Sequence, residues 1–265
     1  MAPEIKTVKI NNKETDYFSF GEGKTPFLML PGVSVIPVTS SASAIEAAYS
    51  SFKKDFTVYV FDRIKTIEKG YTVKEMTSDL ADVLYVLGIE NACIFGASQG
   101  GMMGFQLAID YPHLVKKLAA CSAVSRLDKR TEKLFKLWCN IAESGDNVAL
   151  NDAFFKKVYS PEYYEKFKEV FAFLSTTGTK EQLIRVSNML AACFGFDVFG
   201  DLPKIKDKLF VCASERDEVL FVDDTKAIIS STGCENYIYP GYSHAVYDEA
   251  PDYKERLFKF FSENY

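Results

Sequence analysis

The sequence predicts an α/β protein with a mostly parallel central sheet flanked by helices. Short apolar runs of strand length alternate along the chain with longer segments of helical periodicity. The first two apolar runs follow each other with no helix between them, which is typical of an antiparallel pair. The chain has 265 residues, of which 48% are hydrophobic, so it can bury one large core. These observations favour a wound α/β domain that opens with an antiparallel pair.

The predicted elements follow in order along the chain. The strand candidates are IKTVKI, DYFSF, PFLML, FTVYVFD, ACIFG, KLAACSA, KLFVCAS and NYIYP. The helix candidates that alternate with them are residues 43–54, 73–87, 101–110, 222–231 and 252–261. Strand and helix thus alternate as in βαβ units, in which helices cover both faces of the sheet.

The alternation stops between residues 125 and 202, where helical patterns follow one another. We therefore expect a helical insertion over residues 125–202, between a first core segment at 1–124 and a second core segment at 203–265. The insertion is rich in aromatic residues. These either give the inserted helices their own apolar packing or, for some of them, line the roof of a pocket.

Composition and charge restrict the kinds of partner. The net charge of −5 and the pI near 5.3, without a block of Lys or Arg, disfavour nucleic-acid binding and favour a small-molecule substrate. The N-terminus lacks the apolar core of a signal peptide, and no stretch is long enough to span a bilayer, so we expect a cytoplasmic protein. Six scattered cysteines without C-x-x-C pairing are expected to be reduced core thiols, not a metal site. Nothing in the sequence indicates the oligomeric state.

A serine stands where an apolar run turns into a helix, in the stretch GASQG. Such a turn strains the backbone of its middle residue, and neighbours with β-carbons would crowd it. Gly96 and Gly100 leave that space free, so Ser98 can be held at the tip with its hydroxyl exposed. The pattern also arises as a plain Gly-Ser turn without chemistry. The apolar run before it and the helical pattern after it favour a nucleophile elbow.

A serine nucleophile needs a general base, and the chain has two histidines. His113 lies at the far end of the helix that begins after Ser98, about four helical turns away, and is expected at the surface or at the helix end. His244 follows the last predicted strand. Loops at the carboxyl ends of parallel strands share one edge of the sheet, and Ser98 lies on that edge too. His244 is therefore the candidate base.

The acid that orients the base should follow another strand at the same edge. Asp217 comes shortly after the penultimate predicted strand and meets this requirement. Glu215 and Glu218 are close neighbours that compete for the role, and an exposed acidic loop without a catalytic role is the remaining alternative. The order along the chain is then Ser98, Asp217, His244.

With these residues, nearly the whole chain resembles the α/β-hydrolase superfamily, and in particular its capped, esterase-like serine hydrolases. The resemblance rests on Ser98 in GASQG, Asp217 after the penultimate strand and His244 in GYSHAVYDEAP. It implies an oxyanion hole formed by the backbone N–H groups of Val33 and Gln99, and it implies that the helical insertion is a cap over the site.

The sequence departs from the family pattern at two places. Many members carry a histidine before the glycine of LMLPGVSV, where this chain has Pro31, so the loop that contains Val33 departs from the family pattern. In FDRIKTIEKGYT, Asp62 and Arg63 match the start of a glycine-rich stretch that family members often carry, but the residues after them do not.

The expected activity is hydrolysis of a small acyl compound, above all a carboxylic ester, through an acyl-serine intermediate. No cofactor and no metal are implied. Carbon-carbon bond hydrolases, lactonases, thioesterases, amidases and small-molecule peptidases use the same triad on this fold, so the bond type stays open. A dehalogenase is disfavoured because its nucleophile is a carboxylate. The alternative from another class is a ligand receptor of this fold with little turnover.

Overall fold

A central sheet divides the molecule into two apolar layers. The computed structural model describes residues 2–263, so residue 1 and residues 264–265 of the two predicted core segments lie outside the described residues. The eight strands of the sheet are β1 (Lys6–Ile10), β2 (Lys13–Phe20), β3 (Thr25–Leu30), β4 (Phe56–Phe61), β5 (Ala92–Ala97), β6 (Val115–Cys121), β7 (Leu209–Ser214) and β8 (Glu235–Tyr239). Their spatial order is β1-β2-β4-β3-β5-β6-β7-β8.

The strand directions match the predicted class. β2 is antiparallel to both β1 and β4, whereas the pairs from β4 through β8 are parallel. Every residue of β5 and of β7 is buried, as expected for central parallel strands that are covered on both faces. The prediction of an α/β fold with a mostly parallel sheet and an initial antiparallel pair is therefore confirmed.

Helices cover both faces of the sheet. They are α1 (Ala42–Ala48), α2 (Val73–Leu87), α3 (Gln99–Asp110), α4 (Lys129–Ser144), α5 (Asn147–Val158), α6 (Pro161–Leu174), α7 (Lys180–Ala191), α8 (Val222–Thr232), α9 (Val246–Glu249) and α10 (Tyr253–Ser262). Buried residues of α2, α3 and α8 pack in one apolar layer, and buried residues of α10 pack in the other. Local signals set the ends of α2, with a Thr72–Glu75 capping box at its start and left-handed Gly88 at its end.

The helices α4–α7 lie between β6 and β7 in the chain. They begin at side-chain caps, because Asp128, Asp146, Ser160 and Thr179 each accept a hydrogen bond from a backbone N–H of the first turn. Buried residues of α4, α5 and α7 join the same apolar layer as α2 and α3. The inserted helices are thus packed onto the core.

Some helix boundaries differ from the sequence-based prediction. The predicted helix 43–54 is divided into α1 and a 3₁₀ turn at Ser50–Phe52, because Tyr49 and Phe52 both turn inward and are buried. A 3₁₀ segment at Phe199–Lys208, which contains Pro203, and the short helix α9 were not predicted. All six cysteines are buried and free. Within residues 2–263, no helix is both long enough and apolar enough to cross a membrane.

Candidate active site

Ser98 occupies the sharp turn between β5 and α3. Its backbone has φ 54° and ψ −123°, a conformation that costs a residue with a side chain on the order of 1–3 kcal/mol. A β-carbon at Gly96 would lie 2.5 Å from the Gly100 carbonyl oxygen, and one at Gly100 would lie 2.0 Å from the Leu30 carbonyl oxygen. Both glycines are therefore required by close backbone approach. Ser98 is only partly buried, although the residues on either side of it are buried.

His244 and Asp217 meet at the same edge of the sheet. The His244 Nδ1 atom lies 2.7 Å from Asp217 Oδ2, and both residues are 3% exposed. With the carboxylate as acceptor, Nδ1 carries the hydrogen, which leaves Nε2 as the free basic nitrogen. The Ser122 hydroxyl donates to the His244 carbonyl oxygen at 2.6 Å and so holds the backbone of the loop.

The Asp217 carboxylate is fixed by the turn that carries it. Its Oδ1 atom accepts hydrogen bonds from the backbone N–H groups of Val219 (2.8 Å) and Leu220 (2.9 Å). The other oxygen is thereby left to face His244. The two rival acids point elsewhere, because Glu215 is exposed and Glu218 forms an ion pair with Lys157.

Ser98 and His244 line one small cavity of about 10 Å³, together with Val33 and Gln99. The cavity volume is about that of a single water molecule. Its remaining walls are mostly apolar and include Trp138 of α4. The structure thus brings together all five residues that the sequence singled out, with Asp217 behind His244.

The two backbone groups expected to bind an oxyanion lie at this cavity. Gln99 is the first residue of α3, so its N–H has no intrahelical acceptor. The Gln99 side chain turns away, because its Nε2 donates to the Met189 carbonyl oxygen of α7. On the opposite side, a β-carbon at Gly32 would lie 3.6 Å from Ser98 Oγ, so the backbone before Val33 passes close to the serine hydroxyl.

Two residues that sequence reasoning left without a role hold the loop after β3. The Arg63 Nη2 atom donates to the Pro31 carbonyl oxygen at 2.6 Å. The Asp62 carboxylate accepts from the backbone N–H groups of Val38 (2.7 Å) and Thr39 (3.3 Å). Both anchors come directly after β4, the parallel neighbour of β3, and this position was the sequence signal that could have revealed them.

Arg63 is almost entirely buried, and that burial lowers the pKa of its guanidinium to about 10, with the nearby Arg185 guanidinium acting in the same direction. It therefore stays charged at neutral pH. Arg185 of α7 donates in turn to the carbonyl oxygens of Arg63 (3.2 Å) and Ile64 (3.1 Å). The loop beside Ser98 is thus connected to the inserted helices through two arginines.

A second, larger cavity of about 380 Å³ lies beside the first. The loop after β3 forms one wall, and Leu150, Phe154 and Phe155 of α5 form part of another. Val33 and Phe154 line both cavities and so stand between them. The volume falls within the range of small-molecule sites.

His113 lies outside this arrangement. It is exposed, its ring stacks on Tyr85 at a centroid distance of 6.0 Å, and its Nε2 lies 3.1 Å from the Tyr85 hydroxyl. It is not among the residues that line the Ser98 cavity.

Sequence comparison relates this chain to hydrolases. A family profile described as the alpha/beta hydrolase fold matches residues 25–141. A protein of Serratia proteamaculans named as a candidate carbamate hydrolase, RutD, is 33% identical over 88 residues, which is 31% of this chain and 33% of that protein. A protein of the same name from Stutzerimonas stutzeri is 24% identical over 179 residues, 63% of this chain and 66% of that protein. The chain matches about a third of the length of the first of these relatives.

Solved structures resemble the whole chain. The α/β-hydrolase enzyme MGS-M2 from a Medee basin deep-sea metagenome library superposes with a TM-score of 0.88, 23% identity and 98% coverage of both chains. The enol-lactonase of Burkholderia xenovorans gives a TM-score of 0.83 with 21% identity, covering 97% of this chain and 100% of its own. The strand order, the profile match over residues 25–141 and these solved structures together show that the chain has the alpha/beta hydrolase fold.

Proposed function

We propose that this protein is a serine hydrolase that cleaves a small carboxylic ester through an acyl-serine intermediate. The observation that carries the proposal is the 2.7 Å contact between His244 Nδ1 and Asp217 Oδ2 beside the strained turn of Ser98. A buried imidazole oriented by a carboxylate, in one cavity with a partly buried serine, is the arrangement that activates a serine hydroxyl.

The proposed reaction proceeds in two halves. His244 Nε2 takes the proton of the Ser98 hydroxyl as Oγ bonds to the carbonyl carbon, and the carbonyl oxygen becomes an oxyanion. The N–H groups of Val33 and Gln99 donate to that oxygen, while Asp217 stabilises the imidazolium. The imidazolium then protonates the leaving alcohol as the ester bond breaks. A water molecule deprotonated by His244 releases the acid and restores the Ser98 hydroxyl.

We propose that the inserted helices, predicted over residues 125–202, act as a cap on the site between the two core segments. Residues of α5 line both cavities, and the side chain of Gln99 binds α7. Bound substrate would then be enclosed between Phe154 and the loop of Val33, which excludes water from the oxyanion.

A carbamate is the second candidate substrate, because the relatives that match this chain by sequence are named for that activity. The same triad and oxyanion groups would attack a carbamate carbonyl carbon. The enol-lactonase supports the fold only, so a lactone is tested here as a third chemistry.

The test is a panel of p-nitrophenyl esters of increasing acyl length, with amide, lactone and carbamate substrates alongside, combined with fluorophosphonate labelling. We expect turnover and a single label that peptide mapping places on Ser98, with both lost in Ser98→Ala. Ser144→Ala, which removes an exposed hydroxyl at the junction of α4 and α5, is the serine control for labelling, and it should still label. A label with only one acyl release per chain would favour a receptor, and a folded protein that does not label would overturn the proposal.

A further inference from the structure

The larger cavity is lined mostly by apolar residues. Among the residues that line it within the described chain, Asp248 of α9 is the only charged side chain, and the other polar groups are hydroxyls and one amide. Asp248 lies four residues after His244, beside Tyr49, Tyr159 and Tyr247. A carboxylate and three tyrosines thus form one end of the cavity.

Asp248 is poorly compensated by the protein. The Tyr159 hydroxyl donates to its Oδ2 atom at 3.2 Å, and within residues 2–263 no lysine, arginine or histidine comes within ion-pair distance of the carboxylate. Asp248 lines the cavity and keeps part of its surface exposed, and desolvation by the protein packed around its carboxyl group raises the pKa of Asp248 to about 6, against the opposing effects of Tyr159 and Lys254. The group is therefore an anion at neutral pH.

A carboxylate beside aromatic rings, as at Asp248, is chemically complementary to an organic cation. Tyrosine faces attract ammonium groups, and a carboxylate adds a direct charge interaction that is strong where water is excluded. The Tyr49 ring already has the Lys254 ammonium at 5.7 Å from its centroid. Most of the remaining cavity wall is aliphatic or aromatic and suits the alkyl part of the same ligand.

We propose that this cavity binds an ammonium group carried by the substrate, with Asp248 as the residue that selects for it. The proposal rests on the proposed ester hydrolysis at Ser98 and deepens it by naming the substrate class, an ester whose part remote from the scissile bond carries an ammonium group. Val33 and Phe154 line both cavities, so a chain that passes between them joins the two ends of such a substrate.

The first experiment compares esters that differ only in charge. One pair, butyrylcholine and 3,3-dimethylbutyl butyrate, varies the alcohol; the other, the 4-nitrophenyl esters of 4-(trimethylammonio)butanoic acid and 5,5-dimethylhexanoic acid, varies the acyl group. We expect kcat/KM to be roughly tenfold or more higher for the cationic member of at least one pair. In Asp248→Asn, the ratio of cationic to neutral rates should fall close to one.

Asp252→Asn is the matched control, because it removes a nearby carboxylate that pairs with Arg256 outside the cavity. It should keep the wild-type ratio. The proposal would be overturned if the two members of both pairs reacted at equal rates, or if the ratio of cationic to neutral rates were unchanged in Asp248→Asn. It would also be overturned if Asp252→Asn lowered that ratio as much as Asp248→Asn does.

A second experiment separates this inference from the proposed function. Binding of choline and of its neutral analogue 3,3-dimethylbutan-1-ol is measured by calorimetry on Ser98→Ala, with and without Asp248→Asn. Tighter binding of the cation that depends on Asp248 supports the site even if no ester is hydrolysed. If esters are hydrolysed but no preference for cations depends on Asp248, the proposed function is supported and this inference is wrong.

Discussion

The backbone N–H of Ala245 donates a 2.8 Å hydrogen bond to the carbonyl oxygen of Val158, so the residue after His244 is tied to the last residue of α5. A second contact follows two residues later in the insertion. The backbone N–H of Ser160 donates to Glu249 Oε1 at 3.0 Å, and its hydroxyl donates to the other carboxylate oxygen. The position of the proposed base therefore depends on the junction between α5 and α6.

Ser160→Ala should weaken this connection. The hydroxyl both caps α6, through the N–H of Tyr163, and binds Glu249, so its loss should cost about 1 kcal/mol of stability and lower kcat/KM severalfold. Thermal unfolding and ester kinetics measure the two effects. Ser144→Ala is the control, because that hydroxyl bonds to the backbone of Ile141 and of Asp146 at the junction of α4 and α5 and makes no bond to the His244 loop. Equal kinetics in the two variants would show that the junction does not position His244.

Asp217→Asn should retain the shape of the site while removing the charge that stabilises the imidazolium. We expect kcat to fall by up to about 10⁴-fold, with the fold intact by circular dichroism. Glu215→Gln and Glu218→Gln should stay near the wild-type rate, because neither carboxylate faces His244. Near-normal turnover in Asp217→Asn would show that another acid orients His244.

Arg63→Lys should disturb the oxyanion loop without touching the substrate. A lysine cannot reproduce the planar guanidinium contact with the Pro31 carbonyl oxygen, so Val33 would lose its support. We expect kcat to fall roughly ten- to a hundredfold, with little change in KM. Lys65→Gln, which removes an exposed ion pair near the same turn, is the control. A change in KM alone would argue against a role in oxyanion stabilisation.

Asp248 should make both stability and selectivity depend on pH. The groups that act on its charge are Tyr49, Tyr159, Tyr163, Tyr247, Glu249 and Lys254. Burial raises the pKa of Asp248 from 3.8 to about 6, so the folded state binds this proton more tightly than the unfolded state does. This contribution to stability is present below pH 3.8 and is lost as the pH rises through about 6.

Asp248→Asn should therefore raise Tm at pH 8 by a few degrees, and by less at pH 5. The preference of the wild-type enzyme for cationic esters should decline as the pH falls below about 6, because the carboxylate becomes neutral. The ratio of rates within one ester pair reports this change, since any effect of pH on the catalytic step itself affects both members of the pair equally. A ratio that is constant from pH 5 to pH 8 would contradict the prediction.

The parts of the fold that could be predicted from sequence are those with local causes. β5 and β7 are continuous apolar runs because both faces are covered, and the turn at Ser98 requires glycines at fixed offsets. His244 followed from its place after the last strand. These features depend on the few residues around them.

The remaining features depend on contacts between distant residues. Asp62 and Arg63 can hold the loop after β3 only because β4 lies beside β3 in the sheet. Asp248 shares a cavity with Tyr49 and Tyr159, which are far from it in the sequence. The 3₁₀ segment at Phe199–Lys208 has no strong periodicity, and burial of Leu202 and Ile205 against the core holds it. No local pattern encodes such packing.

The wall between the two cavities consists of Val33 from the core and Phe154 from α5, whose ring packs on Trp138 at a centroid distance of 4.6 Å. A ligand that reaches from one cavity to the other passes beside an aromatic side chain that is held by stacking. We expect acylation of Ser98 by long substrates to depend on rotation of this ring, and acylation by short substrates to be independent of it. Phe154→Ala should abolish this dependence of the acylation burst on chain length in stopped-flow measurements.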